Sequence, residues 1–313
     1  MSPIGDICPA FFHLRGRPTM SAVALLSRIG FIGAGRVAQT LASAFARSNY
    51  QVVAVSSRSQ ANLAGFCARF PAGRGEMAAG SPQEVVDRSS IVFLTVSDDA
   101  IAPVCASLKW RAGVAAVHCS GATEIAALQS AREAGAFVGA FHPMQMFANP
   151  DVALASLPGC TVGIESDEEL RDDLHDLARA IHCVPFSLPP GARPLYHASA
   201  YYVGPFLVAL LSEGSKLWKR FGATERQAME AMMPLLHGTL AAVMDGGLAR
   251  GMGGCVARGD IGTIRKHLDA LENFDLPAAS LYRELAARNV PLALERGTLS
   301  PASAKKIQEL LQH

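Results

Sequence analysis

The chain has 313 residues, of which 50% are hydrophobic and 18% charged, with Lys+Arg 28 against Asp+Glu 27 and a formal net charge of +1. Near-neutral charge without a long basic run excludes a chain built to grip nucleic acid or an acidic membrane surface, and the apolar content excludes a disordered one. The length suits about two domains.

Residues 1–27 carry no clear pattern and read as a loose extension, with Met20 a second candidate start. No sustained apolar stretch follows a basic beginning, so a secretory signal is not expected. The longest apolar run, residues 198–211, is too short for a membrane span and contains Gly204-Pro205. Seven cysteines are scattered without a C-x-x-C pair. Their odd number suits reduced thiols in a cytoplasm. Cys119, at the end of an apolar strand, reads as a small buried hydrophobe ahead of a reactive thiol.

Residues 28–42 read as an apolar strand, a glycine turn and an amphipathic helix. The turn is Gly33-x-Gly35-x-x-Ala38. Gly33 permits the tight turn, Gly35 lets backbone approach a pyrophosphate, and Ala38 lets the helix pack on the strand. The helix N-terminus then offers free amides to phosphate. The second strand, residues 50–56, ends in Ser57-Arg58-Ser59 with no acid to hold ribose hydroxyls. An arginine between hydroxyls suits a 2′-phosphate, so NADP is expected ahead of NAD. The alternative for Arg58 is a helix start with a serine cap. The expected cofactor contacts are Gly33, Ala34, Gly35, Arg36, Val37, Ser57, Arg58, Ser59, Val96 and Ser97.

Further on, helices are expected over 60–70 and 82–88, with a glycine-rich loop between them. An apolar strand over 91–96 precedes Ser97-Asp98-Asp99 and a helix to 108. A strand over 113–118 leads through Cys119-Ser120-Gly121 into a helix ending near 135. Another strand, 136–141, closes with His142-Pro143-Met144. Strands at 160–164 and 183–187 flank a helix at 167–180. The alternation predicts a doubly wound, mostly parallel α/β sheet of Rossmann type over 28–188. After the Pro/Gly-rich stretch 188–194, residues 189–313 read as an all-α domain. Its helices are expected at 195–220, kinked at Gly204-Pro205, then 224–244, 261–271, 276–288 and 300–311.

Ligands of an open parallel sheet bind beyond the carboxyl ends of its strands. That rule selects Ser97, Asp98, Ser120 and His142. Ser97 and Asp98 either meet the cofactor or cap the next helix. Hydride transfer needs an acid/base group near the reacting atom, and histidine suits it with an ordinary pKa of about 6.5. His142 is the lead candidate, its alternative being a loop hydrogen bond before Pro143. Ser120 binds a substrate oxygen or caps a helix. His197 opens the long helix with Tyr201 one turn later, as substrate contacts or as buried structure. Arg258 either grips a substrate carboxylate or pins its turn to Asp260. No histidine or cysteine spacing suggests a metal.

Taken together, Gly33-x-Gly35-x-x-Ala38, Phe93-Leu-Thr-Val-Ser-Asp-Asp-Ala-Ile101, His118-Cys-Ser-Gly121, Phe141-His-Pro-Met-Gln-Met-Phe147, Tyr196-His-Ala-Ser-Ala200 and Val256-Ala-Arg-Gly-Asp260 resemble a group of bacterial Rossmann-like proteins. Their C-terminal half is a helical domain of unassigned function. The resemblance spans nearly all of the chain from Arg28 onward. It implies a two-domain NADP-dependent oxidoreductase, usually a dimer, with a C-terminal domain like that of 6-phosphogluconate dehydrogenase; it implies no substrate. A looser likeness to prephenate and arogenate dehydrogenases places Ser120, His142 and His197 where those enzymes bind or deprotonate a hydroxyl. The chain departs from these patterns at Gly204-Pro205, where Ser-Asn is expected, and at Gln145-Met146-Phe147, where a glycine is expected. No lysine takes the place used by β-hydroxyacid dehydrogenases, since His197 and Tyr201 stand there.

The leading expectation is an NADP-dependent dehydrogenase or reductase for a small polar substrate, at a carbinol/carbonyl or amine/imine carbon. The alternatives are a non-catalytic NADP(H)-binding sensor or scaffold, and a reductase passing hydride between NADP and a deazaflavin. The apolar surface of the long helix predicts a homodimer through the helical domain.

Overall fold

The computed structural model describes residues 27–70 and 77–312. The candidate extension, the start at Met20 and part of the expected 69–80 loop lie outside them. Strands β1 (Arg28–Ile32), β2 (Gln51–Ser56), β3 (Ala78–Ala79), β4 (Ile91–Leu94), β5 (Ala115–His118), β6 (Phe137–Pro143), β7 (Thr161–Ser166) and β8 (Val184–Ser187) form one sheet in the order β3-β2-β1-β4-β5-β6-β7-β8. Every pairing is parallel except β6 with β7. Between them run α1 (Arg36–Arg47), α2 (Gln60–Cys67), α3 (Pro82–Arg88), α4 (Asp98–Ala106), α5 (Gln129–Glu133), α6 (Pro150–Ala155) and α7 (Glu168–Ala180), and α8 (Arg193–Val203) follows β8.

Strand alternation splits the core into two layers. Ile29, Phe31, Ile91 and Phe93 face one side with Leu41 and Phe45 of α1. Ile32, Val92 and Leu94 face the other with Val85 and Val86 of α3 and Ile101 of α4. A parallel strand covered on both faces must be apolar at every position, as β4 is. Chain order reverses between β1 and β4, which opens a crevice at their carboxyl ends.

Two local expectations change. No long helix follows β5. Ser120 Oγ accepts the amides of Ala122 (3.3 Å) and Thr123 (3.0 Å), and a 3-10 turn over Ile125–Leu128 precedes the short α5. A serine offering its backbone such local bonds competes with helix formation. Second, one compact unit ends at Gly204 and the other begins at Pro205, not at 188/189. The helix after the Pro/Gly-rich stretch stays with the sheet because Arg193 donates to the Ser120 carbonyl and Tyr196 Oη to the His142 carbonyl (3.2 Å).

The second unit holds α9 (Pro205–Lys219), α10 (Glu225–Gly251), α11 (Gly254–Ala257), α12 (Ile261–Glu272), α13 (Leu276–Arg296) and α14 (Pro301–Leu311). The expected kink is a full break, with Gly204 at φ −103° and ψ −98°. Helix α10 starts at a Thr224/Gln227 capping box and passes the expected end near Met244, breaking its helical geometry only at Gly247. Helix α13 passes Pro291 and ends at left-handed Gly297. An interior proline costs about 3 kcal/mol, and the buried Val290 and Ala293 beside it help to offset that. The core comes from α11 to α14, around Val256, Ile264, Leu268, Val290 and Ile307. Helices α9 and α10 bury little, and leave Val208, Trp218, Leu235 and Met244 exposed. Among the described residues, no helix is long and apolar enough to cross a membrane.

Candidate active site

The glycine turn is dictated by its contacts. Gly33 has φ +105°, its N–H donates to Ser56 O (2.8 Å), and a Cβ there would lie 2.4 Å from Thr95 O. No L-side chain fits both conditions. Thr95 Oγ1 ties the exit of β4 to the turn by donating to Gly33 O (2.9 Å). Gly35 caps α1 without a side chain, so the first helical amides stay available. They border a cavity of about 790 Å³ whose walls include Gly35, Val37, Val96 and Ser97 on one side and Met146, Phe147 and Ala148 on the other. Arg36 Nη1 reaches across to Ala148 O (3.4 Å).

A second cavity, of about 310 Å³, shares Gly35, Asn62, Val96 and Ser97 with the first and extends to Ser57, Arg58 and Ser59. Every residue assigned to the cofactor from sequence lines one of the two. Ser59 Oγ caps α2 through Asn62 N (3.2 Å), and Ser57 Oγ accepts from Ser59 N (3.2 Å). Arg58 between them is exposed, and no hydrogen bond or ion pair holds it among the described residues. Ser97 occupies the N-cap position of α4 but makes no capping bond, leaving its hydroxyl to the cavity.

At the end of β6, His142 Nδ1 lies 3.1 Å from Tyr196 Oη, which donates its one proton to His142 O (3.2 Å). Nδ1 therefore carries a hydrogen and donates to Oη, and Nε2 keeps a lone pair. His197 stands edge-on to His142, ring centres 5.4 Å apart, and Tyr201 edge-on to His197 at 5.4 Å. Both imidazoles close on Gly121. A Cβ there would meet His197 Nδ1 at 2.2 Å and His142 Nε2 at 2.9 Å. His197 Nδ1 is buried without a hydrogen-bond partner among the described residues. Ser120 lies in the same turn, and its hydroxyl is taken up locally, accepting two amides and donating to Thr123 Oγ1 (2.9 Å).

Four further residues form this cluster and were not singled out from sequence. Arg193 is wholly buried; it donates to Ser120 O, and its Nε stands 3.9 Å from Glu165 Oε2. His118, also buried, accepts from Ser120 N (3.3 Å). Tyr196 orients His142. The available signal was the spacing of Arg193, Tyr196, His197 and Tyr201, which puts them on one helical face. It was masked by the neighbouring prolines, which read as a linker.

The electrostatics revise one expectation. Burial, then Arg193, lowers His142 to about 3, and does the same to His118. His142 is thus a neutral hydrogen-bond acceptor at physiological pH rather than a group poised near neutrality. Burial raises Tyr196 to about 12, so it stays protonated. Burial and the adjacent Glu124 raise Glu165 to about 7, against the pull of Arg193. Burial pushes the Cys119 thiol up to about 12, far from a reactive thiolate.

Arg258 belongs to the second unit. Its supposed partner Asp260 caps α12, accepting from Thr263 N (3.0 Å) and Thr263 Oγ1 (2.7 Å), and no ion pair joins it to Arg258. Among the described residues, no group of three or more His, Cys, Asp or Glu side chains is placed to hold a metal ion.

Residues 28–120 match the family described as NADP oxidoreductase, coenzyme F420-dependent, and residues 160–289 match a domain of unknown function, DUF2520. No curated protein matches the sequence. The fold is shared with solved structures. A Bacteroides fragilis protein titled as a candidate NADP oxidoreductase is 21% identical, with TM-score 0.69 over 85% of this chain and 99% of that one. A Thermotoga maritima protein is 21% identical, with TM-score 0.66 over 85% and 98%. A reductive aminase from Aspergillus terreus, solved with NADPH, is 16% identical, with TM-score 0.56 over 91% and 92%.

Proposed function

We propose that this chain, which joins a nucleotide domain matching the NADP oxidoreductase model to a DUF2520 domain, is an NADP-dependent dehydrogenase or reductase. Its substrate is a small polar molecule that reacts at a carbinol/carbonyl or amine/imine carbon. One observation carries the reading: the segment that follows His142 walls the same cavity as the glycine turn and the start of α1. The cradle fits a dinucleotide, because Gly35 has open space where a Cβ would stand and the α1 amides are uncapped by any side chain. When bound, NADP supplies the hydride donor or acceptor.

The chain's own residues do the rest. The turn and α1 amides hold the pyrophosphate, and Arg58 forks onto the 2′-phosphate. His142 Nε2 accepts a hydrogen bond from a substrate hydroxyl or ammonium, with Tyr196 fixing the ring. His197 contacts substrate beside it, with Tyr201 packed on its far edge, and Ser120 holds the turn beneath both. If the hydride partner is a deazaflavin, the NADP half of this reading is unchanged.

Titration with NADPH and NADH tests that half. NADPH is expected to bind at least about ten-fold more tightly, and Arg58→Ala to erase the difference. Equal affinity in the wild type, or a preference that survives Arg58→Ala, counts against it. The reading includes a cytoplasmic homodimer. Free thiols support the compartment, and the uncovered apolar faces of α9 and α10 support self-association. Light scattering is expected to give a dimer mass; a monomer at micromolar protein would remove the dimer.

A further inference from the structure

The helical unit has a cavity of its own, of about 410 Å³, between α11, α12 and α13. Its polar lining includes Arg258, Asn289, His267, Thr263 and the Tyr282 hydroxyl; Val256, Leu285 and Ala286 supply an apolar wall. We propose that this cavity binds a small organic carboxylate, with the Arg258 guanidinium as its anchor.

The argument starts from what Arg258 does not do. The one acid in its turn, Asp260, spends both carboxylate oxygens on Thr263. No side-chain hydrogen bond or ion pair engages Arg258 or Asn289 among the described residues, and the Arg258 backbone N–H donates to Gly254 O (3.3 Å). A guanidinium presents a planar fork that matches a carboxylate through two parallel bonds. The other polar groups are fixed in place. Tyr282 Oη bonds His267 Nδ1 (3.0 Å) and stands 3.7 Å from Cys255 Sγ. That chain holds the Tyr282 ring against the cavity and leaves His267 Nε2 for a second ligand oxygen. A single cation beside an apolar wall favours a monoanion with a hydrocarbon body over a phosphate, whose double charge asks for more donors. The volume lies within the range of small-molecule pockets.

The inference does not depend on the redox reading, because binding is measured without cofactor. Calorimetric titration of the full chain would use 3-phenylpropanoate and 4-methylpentanoate, each beside its uncharged amide. At least one acid is expected to bind at least about ten-fold more tightly than its amide. Arg258→Gln should remove that difference, and Arg258→Lys should keep part of it, since charge remains but the fork is lost. Thermal melts of both variants should lie close to the wild type, since no side-chain hydrogen bond or ion pair of Arg258 is lost among the described residues. No binding of either acid at about 10 mM, equal affinity for acid and amide, or wild-type affinity in Arg258→Gln would each overturn the proposal. Because Arg58 is untouched, NADPH binding in Arg258→Gln reports separately on the nucleotide site.

Discussion

Arg193→Met is expected to lower the unfolding free energy by about 3–5 kcal/mol near neutral pH, the cost of breaking a buried ion pair from one side. Arg193 is 0% exposed and Glu165 5%, so water cannot replace the lost partner. The substitution strands the Ser120 carbonyl and the Glu165 carboxyl together. The penalty should shrink in acid, and the sign follows from two sets of groups. Glu165 titrates near 7 in the fold, above its ordinary 4.5, so it costs stability as pH rises through that interval. Without Arg193 its carboxylate is harder still to form, and the variant suffers most above neutrality.

His118 and His142 work at the other end. Both are lowered from 6.5 to about 3. Their contribution is whole above 6.5 and drains as pH falls towards 3, because the unfolded chain takes up protons that the fold refuses. Arg193 is the second cause of that refusal, so Arg193→Met should drain less. Urea unfolding at about pH 7.5 and about pH 5 measures both effects. A loss below about 1 kcal/mol, or one that grows in acid, would show that Arg193 is not the strut described here. Adding Glu165→Gln should restore part of the loss, since it removes the stranded acid.

Gly121→Ala is expected to disable the histidine pair while sparing the nucleotide site. One methyl there must displace the His197 ring, whose Nδ1 would stand 2.2 Å away, and press on His142 Nε2. Overpacking of this kind costs about 1–3 kcal/mol. Misplacing a reacting group by about an ångström costs about 100-fold in rate. NADPH affinity should hold, because Gly33 and Gly35 are separate from Gly121 in sequence and strand. Nuclear magnetic resonance of the histidine Cε1 protons gives a readout before any substrate is known: the His142 and His197 signals should shift and those of His267 should stay. Unmoved His142 and His197 signals would mean that the turn gives way and that Gly121 does not set the rings. NADPH binding lost along with the shift would mean that the two sites are not separate.

Much of this was legible in the residues. Gly33, Gly35 and Ala38 announce their turn because φ, close approach and helix packing each exclude larger side chains locally. The alternation of apolar runs and amphipathic stretches located β1 to β8, save the two-residue β3, since a strand covered on both faces cannot hide its composition. Helix ends were less legible. The helix expected to end at 288 runs on through Pro291 to Arg296, because the packing of Val290 and Ala293 outweighs a propensity penalty, whereas α10 does break at Gly247, just beyond its expected end at 244.

What the sequence determined by itself was the order of elements, the nucleotide turn and the candidates at strand ends, all of which depend on near neighbours in the chain. What only the tertiary structure decided was the character of those candidates. Arg193 lies 73 residues from the Ser120 carbonyl it holds, and Tyr196 lies 54 from His142. No spacing rule reaches that far. The neutral state of His142 at physiological pH follows from burial and from Arg193, neither of which is a property of the Phe141-His-Pro-Met144 stretch. Of the two readings left open for Arg258, the pinned turn lacks the expected ion pair, because Asp260 caps α12 through Thr263. In each case the residue type set which chemistry was open to the side chain, and the solvent and charges gathered around it by folding set which of these it performs.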